Sequence, residues 1–266
     1  TVDGITSLST STSGTSNFIA GVNAGNSIVS GGNYNTVVGD EAGTAITTGD
    51  SNIGVGFGAV KAATTGSQNV GVGVNTLATL TTASYNTALG TSALTANTSG
   101  ANNVAVGTNA LEANTTGTGN SALGADALND CTTGDYNVAI GYQSQRLTTT
   151  ADDNTGLGAY TLYDNTTGTA NVAVGFSALA NNTTANNNTA VGYNSLTTNT
   201  TGTVNTATGW YSLNLNTTGS QNAAFGERAL RSNTTASFNT AMGALALTAN
   251  TTGTRNTAVG TSALDA

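Results

Sequence analysis

The sequence predicts an all-β fold, a parallel β-solenoid (β-roll) of about fourteen coils built on a 17-residue repeat. Two positional regularities and one compositional fact point there. Asn recurs at 35, 52, 69, 86, 103, 120, 137, 154, 171, 188, 205, 222, 239 and 256, every gap being 17. Gly follows each of these four residues later, from Gly39 and Gly56 to Gly243 and Gly260. Charged residues make up only 7% of the 266 residues, against roughly 25% in ordinary soluble domains, and the abundant Thr, Asn and Gly are poor helix formers. A helical-hairpin repeat needs about 33 residues. Seventeen residues of this composition suit one coil, stacked on the next at the interstrand spacing of about 4.8 Å.

The consensus unit reads Asn-Thr-Ala-Val-Gly-x-x-Ala-Leu-x-x-Asn-Thr-Thr-Gly-x-x, and its positions are numbered 1 to 17 from the first Asn. Residues 1–16 contain the tract Ser7 to Gly14 and read as a Ser/Thr-rich linker, and residues 17–266 form the repeat domain. Asn17 and Gly21 look like an earlier copy, displaced by one residue. Position 4 is an apolar column, running from Val38 and Val55 to Met242 and Val259 and broken only by Thr208. Position 9 is a second one, including Leu77, Leu94, Leu111 and Leu230, while position 3 is Ala or Gly except at Val37. Neighbouring residues of a strand face opposite ways. A strand tight on one face and apolar on the other therefore implies a coil interior on one side and a neighbouring chain on the other.

The position-1 asparagines are expected to bond amide to amide along the stack. The position-5 glycines mark a bend, and Thr-Thr-Gly marks a turn. Ile46, Ala63 and Leu80 stand where later coils carry Asn at position 12. In the seventh coil Gln143-Ser144-Gln145-Arg146-Leu147 replaces the Ala-Leu pattern and reads as a local bulge.

Composition excludes several functions. With net charge −8 and five basic residues there is no basic stripe for nucleic acid. No apolar run is long enough to insert in a membrane. Cys131 is alone, so no disulfide framework exists. There is no His, the commonest general base, and no catalytic set is visible, so the chain reads as no enzyme and as using no catalytic cofactor. Gly54-Val55-Gly56-Phe57-Gly58 resembles a nucleotide loop but lies inside the repeat. The chain begins at Thr1 without an apolar h-region and reads as a mature or trimmed product.

Four features rise above this background. Tyr142, Phe176, Tyr193 and Trp210 hold position 6, and Tyr160 and Tyr211 hold position 7, an aromatic ladder that either stiffens the coil or forms a glycan-binding platform. Asp126, Asp130, Asp135, Asp152, Asp153 and Asp164 cluster in sequence, and Asp135 and Asp152 are 17 apart. Such carboxylates either face water or, at Asp135, Asp152 and Asp153, bridge a cation such as Ca2+. Asn97, Asn114, Asn165, Asn182, Asn199, Asn216, Asn233 and Asn250 fit Asn-x-Ser/Thr and are either glycosylation acceptors or bare turns. The Thr pairs from Thr47-Thr48 to Thr251-Thr252 suggest an ice-binding array, weakened because only one of each adjacent pair can face a given side.

The pentads Asn103-Val104-Ala105-Val106-Gly107 and Asn171-Val172-Ala173-Val174-Gly175 resemble the head repeats of trimeric autotransporter adhesins. The longer unit, with Ala-Leu and Asn-Thr-Thr-Gly, resembles shaft repeats of viral and phage tail fibres. Together the resemblance covers residues 17–266, although the period of 17 is longer than the usual adhesin-head unit. It implies an extracellular location, on a virion fibre or cell surface, a homotrimer with its chains intertwined or packed, and attachment to a cell-surface glycan or receptor. The alternative is a self-assembling surface filament or coat protein without a ligand of its own, and the third reading is the ice-binding solenoid. The chain stops inside a repeat, at Thr261 to Ala266. In the fibre family such a point precedes a self-cleaving chaperone of the endosialidase type, so a further domain starting with Ser near residue 267 is expected.

Overall fold

A computed structural model describes residues 8, 9 and 12–265. The chain divides into two compact units, Thr1–Asp135 and Tyr136–Ala266. The first carries β1 (Leu8–Ser9), β2 (Phe18–Ala20), β3 (Thr36–Val38), β4 (Ile53–Val55), β5 (Val70–Val72), β6 (Thr87–Leu89), β7 (Val104–Val106) and β8 (Ser121–Leu123). The second carries β9 (Val138–Ile140), β10 (Thr155–Leu157), β11 (Val172–Val174), β12 (Thr189–Val191), β13 (Thr206–Thr208), β14 (Ala223–Phe225), β15 (Thr240–Met242) and β16 (Thr257–Val259). Within each unit consecutive strands from β2 onward pair in parallel, and from β3 onward the partners are 17 residues apart, as Val104↔Ser121 and Val172↔Thr189. β2 and β3 pair at 18, Phe18↔Thr36, so the displaced copy at Asn17 is a true coil with one extra residue. The fold is the predicted parallel β-solenoid. Among the described residues there is no helix, and so none that could cross a membrane.

Part of the predicted linker is structured. β1 pairs antiparallel with β2, Leu8↔Ala20 and Ser9↔Ile19, along the edge of the first coil. Residues 1–7, 10 and 11 of that linker and Ala266, where the expected downstream domain would join, lie outside the described residues.

From β2 onward each strand is three residues long, and its middle residue, position 3 of the repeat, faces inward. Ala105, Ala173 and Ala207 there are fully buried. The interior of a coil is then completed by Ala at position 8, Leu at position 9 and the side chain at position 12, as with Ala110, Leu111 and Asn114. This is a thin core, one Leu and two Ala per coil, and it leaves little freedom in volume. The exceptions to the consensus compensate one another. Val37 at position 3 faces Gly43 at position 9, where a Cβ would lie 2.5 Å from Val37 Cγ1. Gly54 at position 3 faces Val60, whose Cγ2 would sit 2.5 Å from an added Cβ. Gly71 and Gly156 each face a Thr at position 8, Thr76 and Thr161, whose Oγ1 would lie 3.0 and 2.7 Å from a Cβ.

The position-9 leucines adopt positive φ, between 50° and 52° at Leu77, Leu94, Leu111, Leu128 and Leu162. A left-handed L-residue costs about 1–2 kcal/mol, and full burial of a Leu side chain returns about 1.5–3 kcal/mol. Burial wins, which is why a strongly non-helical turn carries Leu and not Gly. Position 5 is different. Gly107 has φ 134°, and a Cβ there would lie 2.5 Å from the carbonyl oxygen of Gly124 in the next coil. Both backbone angle and coil spacing demand Gly at that column.

The position-1 asparagines do more than stack. The Nδ2 of Asn171 donates to the carbonyl of Ala185 across its own coil at 2.8 Å and to Asn154 Oδ1 in the preceding coil at 3.1 Å. Its Oδ1 accepts the backbone N–H of Asn188 in the next coil at 3.0 Å. Amide-to-amide bonds exist, as predicted, but the bonds to backbone are the shorter ones. A donor and an acceptor on one short planar group are both needed, so Asp, Ser or Ala cannot replace Asn here.

The seventh coil is not a bulge. β9 keeps register with β10, Val138↔Thr155, and Gln145 occupies position 9 with the same left-handed φ of 54° as the leucines. Gln145 is fully buried and donates through Nε2 to Val138 O at 2.7 Å. Ser144 and Thr161 hydroxyls meet at 2.7 Å, in the space that Gly156 leaves.

The volume compensation makes a test possible. Gly54→Ala introduces the consensus residue yet is expected to destabilise by about 1–3 kcal/mol, because the β-branch of Val60 fills that space. Adding Val60→Leu restores the consensus pair and is expected to recover most of the loss in a double-mutant cycle of thermal melts. Additive destabilisation in the double variant would refute the packing account.

Candidate binding surface

Positions 6 and 7 form a turn just after the Gly bend, and backbone bonds between coils fix it. The position-7 N–H donates to the position-6 carbonyl of the preceding coil: Tyr160 to Tyr142 at 3.0 Å, Asn194 to Phe176 at 3.0 Å, Tyr211 to Tyr193 at 3.0 Å and Arg228 to Trp210 at 2.9 Å. Side chains at these positions are thereby stacked by the repeat itself. All six aromatic residues predicted as a ladder lie in the second unit, and they are in contact as one run. Tyr142 meets Tyr160 edge-on with centroids 5.5 Å apart, and Tyr160 meets Phe176 at 5.6 Å. Phe176 and Tyr193 stack at 5.4 Å and 13°, and Tyr211 continues the run at 5.7 Å from Tyr193. Trp210 closes it, 4.7 Å from Tyr211. Where position 6 is the small Ala159, Tyr160 at position 7 fills the gap, so the run is unbroken. Such pairs contribute about 0.5–1.5 kcal/mol beyond area, yet Tyr142, Phe176, Tyr193 and Trp210 remain 40–47% exposed. Ring faces and edges are left to solvent on a rigid backbone.

Three neighbours were not anticipated from the sequence. Tyr163 at position 10 lies 5.9 Å from Tyr160. The guanidinium of Arg228 rests 4.5 Å from the Trp210 ring, and that of Arg231 5.9 Å from Tyr211. These four residues, Trp210, Tyr211, Arg228 and Arg231, line a pocket of about 200 Å3. The signal was available in the period: Arg228 follows Tyr211 by 17 residues, and Arg231 shares the position-10 column with Tyr163. Beside Tyr163, burial raises the carboxyl pKa of Asp164 above its ordinary value.

The other candidate residues have structural duties. The sequon asparagines are enclosed in the folded chain. Asn97, Asn114, Asn165, Asn182, Asn199, Asn216 and Asn233 are fully buried at position 12. Their Nδ2 groups donate inward, as Asn199 does to Gly202 O at 2.9 Å and Asn182 Oδ1 at 3.0 Å. Asn250 makes the same two bonds at 3.0 and 3.1 Å. The nitrogen a glycan needs is enclosed and already bonded. Ile46, Ala63 and Leu80 are the apolar counterparts of this column and are equally buried.

Asp135 ends the first unit, and Asp152 and Asp153 belong to the second. Asp135 Oδ1 accepts Thr118 N at 2.7 Å and Thr118 Oγ1 at 2.9 Å. Other short side-chain oxygens at position 16 act alike, capping the N–H one coil earlier. Asp50 does so for Asn33, Ser84 for Ser67, Asn186 for Thr169 and Ser237 for Ser220. Asp152 accepts Ala170 N through its backbone carbonyl, and Asp153 stands in a left-handed turn with φ 60°. Among the described residues no three His, Cys, Asp or Glu side chains gather into a metal-ligand group.

In the stacked Thr pairs the first hydroxyl is used internally, as Thr166 Oγ1 donates to Thr183 O at 3.1 Å and Thr183 Oγ1 to Thr200 O at 3.1 Å. The second, as Thr167 and Thr184, is exposed.

Among known proteins, no family model matches the chain and no curated protein matches it.

The capping duty of position 16 predicts that Asp135→Ser retains the melting temperature, since Ser already serves this column. Asp135→Ala is expected to cost about 1 kcal/mol for the N–H left unpaired, with no change on adding Ca2+ or a chelator to the wild type. A calcium-dependent melt would sink the capping assignment.

Proposed function

We propose that this chain is the shaft of an extracellular attachment fibre, assembled from three parallel copies, with the aromatic run as its contact surface for a cell-surface glycan. The observation that carries the reading is the outer face of the strands. Positions 2 and 4 point away from the interior in both units, and neither column contains a charged residue. Val104, Leu123, Leu157, Phe225 and Met242 are 39–47% exposed there. Contiguous apolar surface of this kind calls for a partner. Another copy of the same chain supplies a matching column at the same period, so association along one face satisfies every coil at once. The number three, and the placement on a virion or cell surface, rest on the resemblance to adhesin-head and tail-fibre repeats. The low charge and Thr/Asn-rich surface suit an extracellular location.

The aromatic run favours an attachment role over that of a filament without a ligand. A ladder serving stability alone could be buried against the coil, whereas this one keeps its rings half open on a fixed frame. Sugar rings pack their apolar faces on such aromatic surfaces.

Native mass measurement is expected to give three copies of the 26.0 kDa chain. Leu157→Asp on the outer face is expected to yield a folded but dissociated chain, by circular dichroism and light scattering. A wild type that stays monomeric at micromolar concentration removes the assembly. Trp210→Ala is expected to weaken attachment to cells by roughly 1–3 kcal/mol, the scale of a lost stacking contact. Unchanged attachment per folded fibre, with only a lowered melting temperature, would assign the ladder to stability alone.

A further inference from the structure

We propose that the C-terminal end of the aromatic run is a subsite for the carboxylate of an acidic saccharide, so that the glycan bound by the fibre is anionic and not neutral. This rests on the reading of the run as a glycan platform and names the class of glycan.

The charge distribution motivates it. The chain has net charge −8 and only five basic residues, Lys61, Arg146, Arg228, Arg231 and Arg255. Two of these, Arg228 and Arg231, converge on the last two rings of the run and line one pocket with them. A third, Arg146, holds position 10 one repeat before Tyr163, at the opposite end. The coils that begin and end the run therefore each carry arginine, in a protein that otherwise has almost none. Its two ends, the coils of Tyr142 and Arg228, are five repeats apart, about 24 Å at the interstrand spacing.

These arginines are not consumed by internal pairing. Arg228 meets Glu227 only at 3.9 Å, with both side chains substantially exposed, an arrangement of little net strength. Arg231 makes no salt bridge among the described residues, and its Nε is buried without a hydrogen-bond partner, as is that of Arg146. The guanidinium groups of Arg228 and Arg231 lie over the Trp210 and Tyr211 rings, and their terminal N–H groups are the donors that would meet a ligand edge. A guanidinium fork matches a carboxylate bidentately. An aromatic face beside it matches the apolar face of the sugar ring that bears the acid. A neutral sugar would use the rings and leave the arginines idle. A protein partner would meet a strip one aromatic side chain wide, which suits a linear chain better than a broad interface.

The test is a glycan array that prints acidic saccharides beside their carboxyl-esterified counterparts and neutral glycans, probed with the intact fibre at two salt concentrations. Wild type is expected to prefer the acidic members by about tenfold or more over their esters, with the preference shrinking as salt screens it. Arg228→Gln and Arg231→Gln keep the aliphatic stems and are expected to abolish that preference while residual binding to esters stays. Trp210→Ala is expected to lower binding to acidic and esterified members alike. Equal binding of acids and esters overturns the acidic subsite but leaves the platform standing. An acid preference untouched by both arginine variants overturns this location for it. Absence of binding to every member overturns the platform and the subsite together. Melting curves of each variant, matched to wild type, keep loss of folding from mimicking any of these results.

Discussion

Everything in this molecule depends on the position-1 asparagine. A coil of 17 residues with three residues of strand has few backbone bonds along that strand and must be closed by something else. The Asn side chain closes it three ways at once: to the turn at the far side of its own coil, to the coil before and to the coil after. Because its Oδ1 receives the next coil's backbone N–H, adding a coil satisfies groups that the previous coil leaves open. That is the physical content of the repeat: each unit is incomplete alone and is completed by its neighbour. A second Asn column at position 12 does the same within the turn wherever the interior is polar, and Ile, Ala or Leu plug the position where it is apolar.

The hydrophobic contribution is correspondingly slight. One Leu and two Ala per coil cannot support the fold in the way a globular core does, and much of the apolar side-chain surface lies outside, on the strand face. Interior and exterior thus divide the work. Inside, hydrogen bonds set the period, and small side chains keep the coil thin enough for them to reach. Outside, the apolar columns stay half-exposed on the strand face, where the proposed association would cover them. The paired exceptions at Val37 and Gly43, and at Gly54 and Val60, show how tightly the interior is bounded: volume lost at one position is taken up at the other.

Much of this was legible in the sequence because the period is exact enough to read columns directly. Strand placement, the inward small column, the outward apolar column, the Gly bend and the aromatic ladder all follow from counting by 17. Patterns read locally carried less. The sequon is a three-residue signal, and it could not reveal that Asn199 Nδ2 is already committed to Gly202 and Asn182. The Asp135 and Asp152 spacing suggested a shared cation, whereas Asp135 belongs to a column filled equally by Ser and Asn, whose common property is a short oxygen-bearing side chain. The left-handed leucines were illegible for a different reason. Propensity forbids that conformation, and only burial outweighs it, a balance that appears once the interior is known. The arginines at the end of the ladder were legible in register but fell outside a search for rings alone.

This division also explains where function can reside. Positions 1, 3, 5, 9 and 12 are held by bonding, volume or backbone angle, and most changes there disturb neighbouring coils. Position 6 is held only through its backbone, by bonds that do not depend on the side chain, as Tyr160 to Tyr142 and Arg228 to Trp210 illustrate, whereas position 7 keeps a left-handed φ and polar side chains at position 10 bond the position-7 carbonyl of the preceding coil, as Thr197 does to Ser177. Position 6 is free to vary, and it does: it is Tyr, Ala, Phe, Tyr, Trp and Glu over six successive repeats. A solenoid of this kind is thus a ruler of fixed backbone whose turn positions can be written independently. A run of aromatic residues over consecutive coils in an otherwise ring-poor chain is therefore not dictated by the fold. Selection for the fold alone would leave those columns as mixed as they are in the first unit, where position 6 passes through Asp40, Phe57, Val74, Thr91, Thr108 and Ala125. The contrast between the two units at a structurally permissive column is the strongest reason to place the proposed glycan contact surface on the second.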